Sequence, residues 1–509
     1  MAVSDDRKYT SDFVYHLLEG VIGKTLGEID YSNQFARTAK SSKITGIAGD
    51  VVEQSVFRYA RDSKQECDIE VDGQLTELKT TGVRVPKTDL KRAQGKTGNA
   101  YNVFLGAKEG ISITGVTFEP APQTDFFTSH FWEKAEHLLI VFYEYKSYDV
   151  VPAAAYAKFP IVGYCYNRFS ANEQAQLRHD WEIVRDYLLD VYSSSSSVSQ
   201  RNNQLVGFTH QLRPQLMLIE LVPGFKLRES GGYQKPRYRL KQTFVDYIVR
   251  GHFSKKRQGV SLKQPFSSYA QLDARCHELT KAYGGQNLTQ LQKALHINGQ
   301  PKNLAALCVL HMFGAECKKL NQIADFTKVG ILAKTITLTP DGYRTEDMKL
   351  RHVDFDEWAD RDVDFEDSDI YRYFSEHCFL FPVFCEHEKD DPNHITFEGF
   401  KRMNFDENFI QTEVRRMWED SRHLIHNNEL KWVPMLDKNG QPKSNPHGGF
   451  MGAPNLPKSS VYTVFMRGGA SDSSVQSRTE CVNHIHMLPQ FFWIKGAYIA
   501  NKLKDLPYT

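Results

Sequence analysis

The chain has 509 residues, 41% of them apolar and 25% charged, which is the composition of a water-soluble globular protein with two or three domains. No apolar run approaches the roughly 18 residues that suggest a membrane span. The N-terminal stretch MAVSDDRKYTSDF lacks the apolar core of a secretory signal, and the eight scattered cysteines show no disulfide framework. We therefore expect a reduced, cytoplasmic protein with no membrane segment.

The net charge of +1 arises from 63 Lys+Arg against 62 Asp+Glu and does not by itself indicate a nucleic-acid partner. The charge is unevenly distributed, however, because residues 237–257 are basic and residues 354–369 are acidic. A neutral total can therefore conceal a basic groove.

The hydrophobic pattern of the first half predicts both helices and strands. Residues 66–84 are typical of a β-hairpin whose turn is Asp72-Gly73. The other predicted elements, in chain order, are helices at 9–31 and 46–60, a strand at 138–143, a helix at 171–191, a strand at 215–222 and a helix at 240–251. This mixture predicts an α/β fold of the mixed α+β kind, with a mixed sheet flanked by helices.

Several landmarks recur along the chain at offsets of 254 to 257 residues. The recurring pairs are Asp68 with Asp325, Lys79 with Lys334, Arg213 with Arg467, and Leu240-Lys241 with Ile494-Lys495. A near-constant offset across different kinds of landmark indicates a tandem duplication of this fold. The polar, basic stretch 254–268 suits a boundary better than the serine run 193–197. We therefore expect a domain at 1–253, a linker at 254–275 and a second domain at 276–509.

The segment CDIEVDGQLTELKT (67–80) carries the clearest chemical signal. Alternate residues of a strand face the same way, so Glu77 and Lys79 project together, and Asp68 can reach the same place across the turn. Carboxylates bind Mg²⁺ through oxygen, and a neighbouring lysine can orient a water or stabilise charge on a phosphate. The pattern alone is also common on solvated strands. Its apolar context and the upstream carboxylate of Glu53 favour a site for phosphodiester hydrolysis.

Three blocks carry a more specific signal: GKTLGEID (23–30), GIAGDVVE (46–53) and ECDIEVDGQLTELKT (66–80). Together they resemble the first blocks of the MutH family, which comprises a mismatch-repair nicking endonuclease and related two-domain restriction endonucleases that cut at GATC. Later blocks at 129–144, 177–188, 212–214 and 237–244 extend the resemblance over about residues 9–250. The resemblance implies a restriction-endonuclease-like fold, and it assigns Glu53, Asp68 and Glu77 as Mg²⁺ ligands, Lys79 as the catalytic lysine and Lys134 as an auxiliary active-site lysine.

Two features depart from the family pattern. Nine residues separate Asp68 from Glu77, where the family usually has seven. Either the hairpin is longer, or the true ligand is Glu70 or Asp72. In addition, the tyrosine expected before the Leu-Lys pair is Arg239 here, so a response to adenine methylation does not carry over.

The second half lacks part of the site. Asp325 and Lys334 keep a spacing of nine, but Leu332 stands at the glutamate position between them and Leu310 stands opposite Glu53. Leucine cannot ligate a hard cation, so we predict that this copy binds DNA or regulates the first domain without cutting. The alternative is that this copy is only a packing partner of the first domain.

Reading of double-stranded DNA is expected from basic side chains, because arginine contacts guanine edges and lysine more often contacts phosphates. The predicted DNA-binding residues are Arg213, Arg239, Lys241, Arg467 and Lys495. For each of them an ordinary surface cation is the alternative.

Fragments of a phosphate-binding loop at Gly23-Lys24-Thr25 and Gly95-Lys96-Thr97 lack the first glycine of that motif. The group Cys378, Cys385, His387 and His394 matches no usual zinc spacing. The sequence therefore predicts a Mg²⁺-dependent type II restriction endonuclease, monomeric in solution and able to pair on DNA. A strand-nicking repair endonuclease and a non-cutting DNA-binding regulator are the alternatives.

Overall fold

The computed structural model describes residues 7–41, 44, 46–59, 66–85, 105–118, 121–147, 151–195, 197–205, 207–226, 233–254, 259–299, 301–344, 346–389, 391–446, 449–470 and 472–509. The chain forms two compact units. The first comprises Met1–Ser147, Val151–Asp273 and Leu310–Leu332, and the second comprises Tyr148–Val150, Ala274–Val309 and Ala333–Thr509. Both mix helices and strands, which confirms the predicted fold class. Among the described helices, none has both the length and the apolar character that crossing a membrane requires.

The first unit is built on two main sheets. Its strands are β1 (Lys8–Tyr9), β2 (Ile69–Val71), β3 (Gln74–Arg84), β4 (Gly106–Ala107), β5 (Ile111–Gly115), β6 (Leu138–Glu144), β7 (Ile161–Asn167), β8 (Ile219–Val222), β9 (Phe225–Lys226), β10 (Tyr233–Gln234) and β11 (Arg237–Leu240). The larger sheet has the order β1-β2-β3-β6-β7 with β4 beside β3, and the smaller has the order β5-β11-β8. Strands β9 and β10 form a separate pair.

Helices of the first unit contact both of its main sheets. They are Ser11–Glu19, Ile47–Val51, His130–Ala135, Ala171–Ser194, Val198–Gln204, Phe208–Leu212, Gln242–Phe253 and Ala324–Lys328. Val14, Leu18, Val51 and Phe57 are fully buried in one core cluster with Val141 of β6. The described helices at 171–194 and 242–253 lie close to their predicted positions.

The predicted hairpin is confirmed. β2 pairs antiparallel with β3, Ile69 opposite Thr76, and the turn residues Asp72 and Gly73 have φ of 49° and 79°. Positive φ at both central positions is the type I′ geometry that an Asp-Gly pair favours, because its twist matches that of the strands. Extended by one residue beyond β2, this register places Asp68 opposite Glu77.

Strand β3 also pairs with β6, in parallel, with Glu77 opposite Leu138 and Thr80 opposite Val141. The six residues of LLIVFY are all buried, as expected for a strand covered on both faces. This register sets the helix His130–Ala135, which immediately precedes β6, beside the start of β3.

Two predicted helices are wrong in extent. The helix predicted over 9–31 ends at Glu19, because Gly20 caps it and Gly23 has a φ of 83°, which a right-handed helix cannot contain. The helix predicted over 46–60 consists of Ile47–Val51 followed by a π-helix, Val52–Val56.

The remaining strands along the chain are β12 (Ile331–Ala333), β13 (Ile336–Leu338), β14 (Met348–His352), β15 (Cys378–Glu386), β16 (Ile395–Met403), β17 (Trp432–Pro434), β18 (Gly452–Pro454), β19 (Val464–Gly468), β20 (Glu480–Val482), β21 (Ile485–Met487) and β22 (Gln490–Ile494). Strand β15 pairs in parallel with β13 and antiparallel with β16. A second sheet has the order β14-β22-β19.

The helices of this part are Tyr269–Tyr283, Leu288–Ala294, Leu304–Met312, Phe355–Ala359, Asp369–Ser375, Glu407–Phe409, Arg415–His426 and Gly496–Lys504, with a π-helix at Ile410–Val414. A helix, two antiparallel strands and a further helix follow one another at 369–426, as they do at 130–194. A three-stranded sheet whose last strand leads into a helix also occurs in both halves. The tandem duplication itself remains a prediction.

The turn at Gly73 offers a test of the hairpin. A Cβ at Gly73 would meet no atom within 4 Å, so Gly73→Ala is disfavoured through its backbone alone. We expect the free energy of unfolding to fall by about 1–2 kcal/mol, the cost of left-handed backbone for a residue with a Cβ. Urea denaturation of the full chain measures this. Gly115→Ala on β5 is the control and should change stability less, because an added Cβ would lie no closer than 4.0 Å to a neighbour, the carbonyl oxygen of Pro236, and φ is not positive.

Candidate active site

Glu77 is the most deeply buried acidic residue of the predicted site, with 1% of its surface exposed. Its Oε1 lies 2.5 Å from Lys79 Nζ, and Lys134 Nζ lies 3.0 Å from Oε1 and 2.9 Å from Oε2. A buried carboxylate is tolerated only when it is paired and hydrogen-bonded, and two ammonium groups meet that need here. The structure thus brings together the strand pair and the lysine that the resemblance implied.

Lys134 reaches Glu77 from the helix His130–Ala135. Ser129 caps this helix by accepting a hydrogen bond from Trp132 N, which fixes where the helix begins. The side chain of Lys134 is buried. It therefore acts as a fixed partner of Glu77 rather than as a mobile surface cation.

Asp68 lies directly before β2, and its Oδ2 accepts a hydrogen bond of 2.9 Å from Leu78 N. The nine-residue gap is thus accommodated by a longer hairpin. The two alternative ligands have other partners, because Glu70 lies 3.2 Å from Lys8 and Asp72 accepts a hydrogen bond from Ser11 N. Of the three acidic candidates, Asp68 alone contacts the part of β3 that carries Glu77 and Lys79.

Glu53 lies on the π-helix Val52–Val56. Such π turns widen a helix locally and are frequent at functional sites. One turn earlier, a Cβ on Gly49 would lie 3.6 Å from both Glu53 Oε1 and Thr80 Oγ1. The carboxylate of Glu53 is therefore close to β3, next to the residue that follows Lys79.

The charges of the site are mutually dependent. Burial, with the charge of Asp68 next, raises the pKa of Glu53 to about 7. Burial and the charge of Glu77 raise the pKa of Asp68 to about 6. Burial opposes the charge of Lys79, but Glu77 and the other two carboxylates overcome this and raise the pKa of the lysine. When all three carboxylates are ionised, the two lysines leave the group one positive charge short of balance.

The donor set fits a hard divalent cation, because all three available ligands are carboxylate oxygens. Among the described residues, one group of possible ligands has all of its ligand atoms within 4.8 Å of one another, and it lies outside this site. It consists of Glu388, Asp391 and His394, at the surface of the second unit. The oxygens of Glu53, Asp68 and Glu77 are spread more widely, with those of Glu77 held by lysines. A cation bound by all three would have to replace part of these lysine contacts.

The predicted DNA-reading residues of the first half occupy different environments. Arg213 contacts His210, and Arg239 pairs with Glu220 at 2.6 Å while keeping about a third of its side chain exposed. Lys241, predicted to contact DNA with an ordinary surface cation as the alternative, is 2% exposed, and its Nζ donates to the carbonyl of Leu216 at 2.5 Å. The structure gives Lys241 a structural contact and no access to a phosphate.

In the second half, the groups that act on Lys334 differ from those around Lys79. Lys334 Nζ donates to the carbonyl oxygen of Lys349 at 3.0 Å. Burial, with the charges of Arg344 and Lys349 next, lowers its pKa, the direction opposite to that of Lys79. In the first unit, Asp325 accepts a hydrogen bond of 2.7 Å from Leu262 N and lies 3.6 Å from Lys328.

The basic residues predicted for the second half differ in exposure. Arg467 is exposed on β19, where it pairs with Asp347 at 2.7 Å and its guanidinium lies 4.7 Å from the ring centre of Trp493. Lys495 caps the helix Gly496–Lys504 and is only half-buried.

Sequence reasoning missed one residue of this region. Tyr59 follows the π-helix, its ring is buried, and the charges of Asp68, Glu53 and Glu77 all act on its hydroxyl. In the sequence, the signal for Tyr59 was its position six residues after Glu53. That position indicates the site only if the helix is known to change to a π turn.

A buried, strand-borne Glu-x-Lys pair with flanking carboxylates is the arrangement expected of phosphodiester-cleaving nucleases that use a divalent cation. Residues 57–180, which contain Asp68, Glu77, Lys79 and Lys134, match the family model of the DNA mismatch repair enzyme MutH. The chain is also 22% identical to the type II restriction enzyme Sau3AI of Staphylococcus aureus over 536 aligned residues, which cover 98% of this chain and 99% of that enzyme. The chain is thus similar to the mismatch repair enzyme MutH over part of its first half, and to a type II restriction enzyme along nearly its whole length.

The raised pKa of Glu53 predicts a stability that depends on pH. A carboxyl group whose pKa is raised in the folded state favours folding when protonated, and this contribution is lost as pH rises from about 4.5 toward the folded value of about 7. In EDTA, Glu53→Gln should therefore raise the free energy of unfolding at pH 8 by about 1–3 kcal/mol. At pH 4.5 the variant and the wild type should be equally stable.

Urea denaturation at the two pH values measures this difference. Glu70→Gln, which removes a carboxylate paired with Lys8 at the surface, is the control and should have little effect at either pH. Equal stability of Glu53→Gln and wild type at pH 8 would contradict the electrostatic account of the site.

Proposed function

We propose that this protein is a Mg²⁺-dependent type II restriction endonuclease that hydrolyses double-stranded DNA at a short palindrome, GATC. The observation that carries the proposal is the buried carboxylate of Glu77 held between Lys79 and Lys134, with Glu53 and Asp68 close by. Support for the choice of GATC comes from the sequence blocks at 23–30, 46–53 and 66–80. Similarity along nearly the whole chain to a restriction enzyme supports defence against foreign DNA over repair.

Glu53, Asp68 and Glu77 would hold the cation. When bound, Mg²⁺ neutralises charge developing on the scissile phosphate and lowers the pKa of a coordinated water. Lys79, kept protonated by its carboxylate neighbours, would orient the attacking water and offset negative charge on the phosphate. Lys134 would keep the carboxylate of Glu77 in a single orientation.

The second half would bind DNA without cutting it. Leu310 and Leu332 offer no oxygen ligand at the two positions that correspond to glutamates, and Lys334 donates to the backbone carbonyl of Lys349. Arg467 presents an exposed guanidinium next to an aromatic ring, which suits contact with a phosphate or a base. With one active site per chain, cutting both strands needs two monomers meeting on DNA, or one monomer cutting each strand in turn.

Digestion of unmethylated GATC-containing plasmid tests the activity. Wild-type protein with Mg²⁺ should give fragments whose ends map to GATC, and EDTA should abolish them. Glu77→Gln should lower the cleavage rate by about 1000-fold or more, because it removes a ligand and the charge that pairs with Lys79 and with the buried Lys134. Initial rates from gel densitometry provide the measurement.

Glu70→Gln is the matched control on the same hairpin and should cut at the wild-type rate. Loss of activity in Glu70→Gln with retained activity in Glu77→Gln would move the metal ligand to the alternative position. Nicked circles alone would support a strand-nicking enzyme. Binding without any cleavage by wild type would support a regulatory protein.

The DNA-binding role of the second half has its own test. Arg467→Ala should weaken binding of a GATC duplex by about 10-fold and reduce the slope of log K against log salt concentration by about 1, as for loss of one phosphate contact. Fluorescence anisotropy with Ca²⁺ in place of Mg²⁺ measures affinity without cleavage. Lys502→Ala is the control, because Lys502 is also exposed and also pairs with an aspartate, Asp406. Unchanged affinity and slope in Arg467→Ala would remove Arg467 from the interface.

A further inference from the structure

In the second unit, one face of the sheet β14-β22-β19 carries cations next to aromatic rings. Lys349 on β14 lies opposite Trp493 of β22, and its Nζ lies 3.3 Å from the ring centre of Phe491. Arg467 on β19 lies opposite Phe491, and its guanidinium lies 4.7 Å from the ring centre of Trp493. Both cations are exposed, whereas the two rings are half-buried. The sheet therefore presents positive charge to solvent above an aromatic base.

Lys334 contacts the same strand. It lies just before β13, and its Nζ donates to the carbonyl oxygen of Lys349 at 3.0 Å. An ammonium group has three N–H donors, and this contact uses one of them. Burial, with the charges of Arg344 and Lys349 next, lowers the pKa of Lys334. An anion bound at this place would relieve the repulsion among the three cations.

Arg344 adds a donor that lacks an acceptor. Its Nε donates to the carbonyl of Glu346 at 2.7 Å, but its Nη1 is buried and has no hydrogen-bond partner in the described part of the chain. Buried donors are rarely left so, because losing water without a replacement is costly. A Cβ on Gly496 would lie 3.1 Å from Arg344 Cδ, and Gly496 N donates to Asp347 at 3.3 Å. Arg344 thus lies where β22 ends, beside the aspartate that pairs with Arg467.

The nearby carboxylates do not balance these cations. Asp347 pairs with Arg467 at 2.7 Å, and the charges of Glu346 and Asp347 act on Arg344. Two carboxylates thus face four cations, which we call the basic cluster: Lys334, Arg344, Lys349 and Arg467. Lysine and arginine side chains only donate hydrogen bonds, so the partner that would satisfy the cluster is an acceptor with negative charge. Phosphate fits this description, because it offers several charged acceptor oxygens.

We propose that the basic cluster binds a backbone phosphate of duplex DNA. This inference rests on the proposed function, because it assumes that the second half binds DNA, and it adds Lys334, Arg344 and Lys349 to the contact proposed for Arg467. Phosphate contacts fix the position of a protein on the duplex and carry no sequence information directly. The cluster therefore contributes affinity for any duplex, whether or not it contains GATC.

Lys349→Gln tests the proposal, because it removes the exposed charge at the centre of the cluster. Binding by the full-length protein is measured by fluorescence anisotropy with Ca²⁺ in place of Mg²⁺, over a range of salt concentrations, with one duplex that contains GATC and one that lacks it. We expect the variant to bind both duplexes about 3- to 10-fold more weakly and to reduce the slope of log K against log salt concentration by about 1. The double variant Lys334→Gln/Lys349→Gln should reduce the slope by about 2.

Two variants serve as controls. Lys281→Gln removes the charge of an exposed lysine on the helix Tyr269–Tyr283 and should leave affinity and slope unchanged. Lys349→Arg keeps the charge of the cluster and should bind both duplexes as the wild type does. Recovery of binding in Lys349→Arg separates the loss of charge from a loss of fold, and the urea midpoint of each variant checks the fold directly.

Unchanged affinity and slope in Lys349→Gln and in the double variant would overturn the inference while leaving the nuclease function intact. A loss confined to the GATC duplex would also overturn it, because the contact would then be with a base edge. A small phosphate compound is the other source of this chemistry. If pyrophosphate at constant ionic strength stabilised the wild type but not the double variant, while both bound DNA equally, the inference would be wrong. Wild-type protein that bound neither duplex would instead overturn the proposed function, and the inference would fall with it.

Discussion

The contact of one buried carboxylate with two lysines is the constraint on which the site depends. Glu77 can lie inside the sheet because Lys79 and Lys134 neutralise it. Lys79 comes from the same strand, two residues on, but Lys134 comes from the helix before β6. The parallel register of β3 with β6 must therefore be held by the core around it. Two lysines against three carboxylates also leave the site short of positive charge, which is the electrostatic basis for binding a cation.

Lys79 and Lys334 show that the neighbours of a lysine determine the direction in which its pKa is shifted. Lys79 lies in β3, which pairs in parallel with β6, and Lys334 lies just before β13, which pairs in parallel with β15. Yet the pKa of Lys79 is raised and that of Lys334 is lowered. Carboxylates surround Lys79, whereas Lys334 faces Arg344 and Lys349. The groups that act on Lys334 are thus basic, whereas those that act on Lys79 are acidic.

Local patterns predicted the parts of the site that are local in sequence. The hairpin and the shared face of Glu77 and Lys79 follow from alternation and from the Asp72-Gly73 turn. The contact of Lys134 with Glu77 spans 57 residues and was implied only by family resemblance. The partner of Lys241 is a carbonyl 25 residues away, so burial of this lysine had no local signal. The π-helix at Glu53 was not predictable either, because its sequence has the same apolar pattern as an α-helix.

The nine-residue separation of Asp68 and Glu77 is also explained by hairpin geometry. If one extra residue is added to each strand, the hairpin becomes longer by one residue pair. The turn then lies further out, and the pairing of the residues before the turn is unchanged. An odd change would instead turn one of the two carboxylates to the opposite face. With Ile69 opposite Thr76 and Val71 opposite Gln74, the register is regular up to the turn. The extra pair therefore lengthens the hairpin at its exposed end, where Asp72 and Gly73 accept the left-handed backbone, and the distance between the acidic residues at its base need not change.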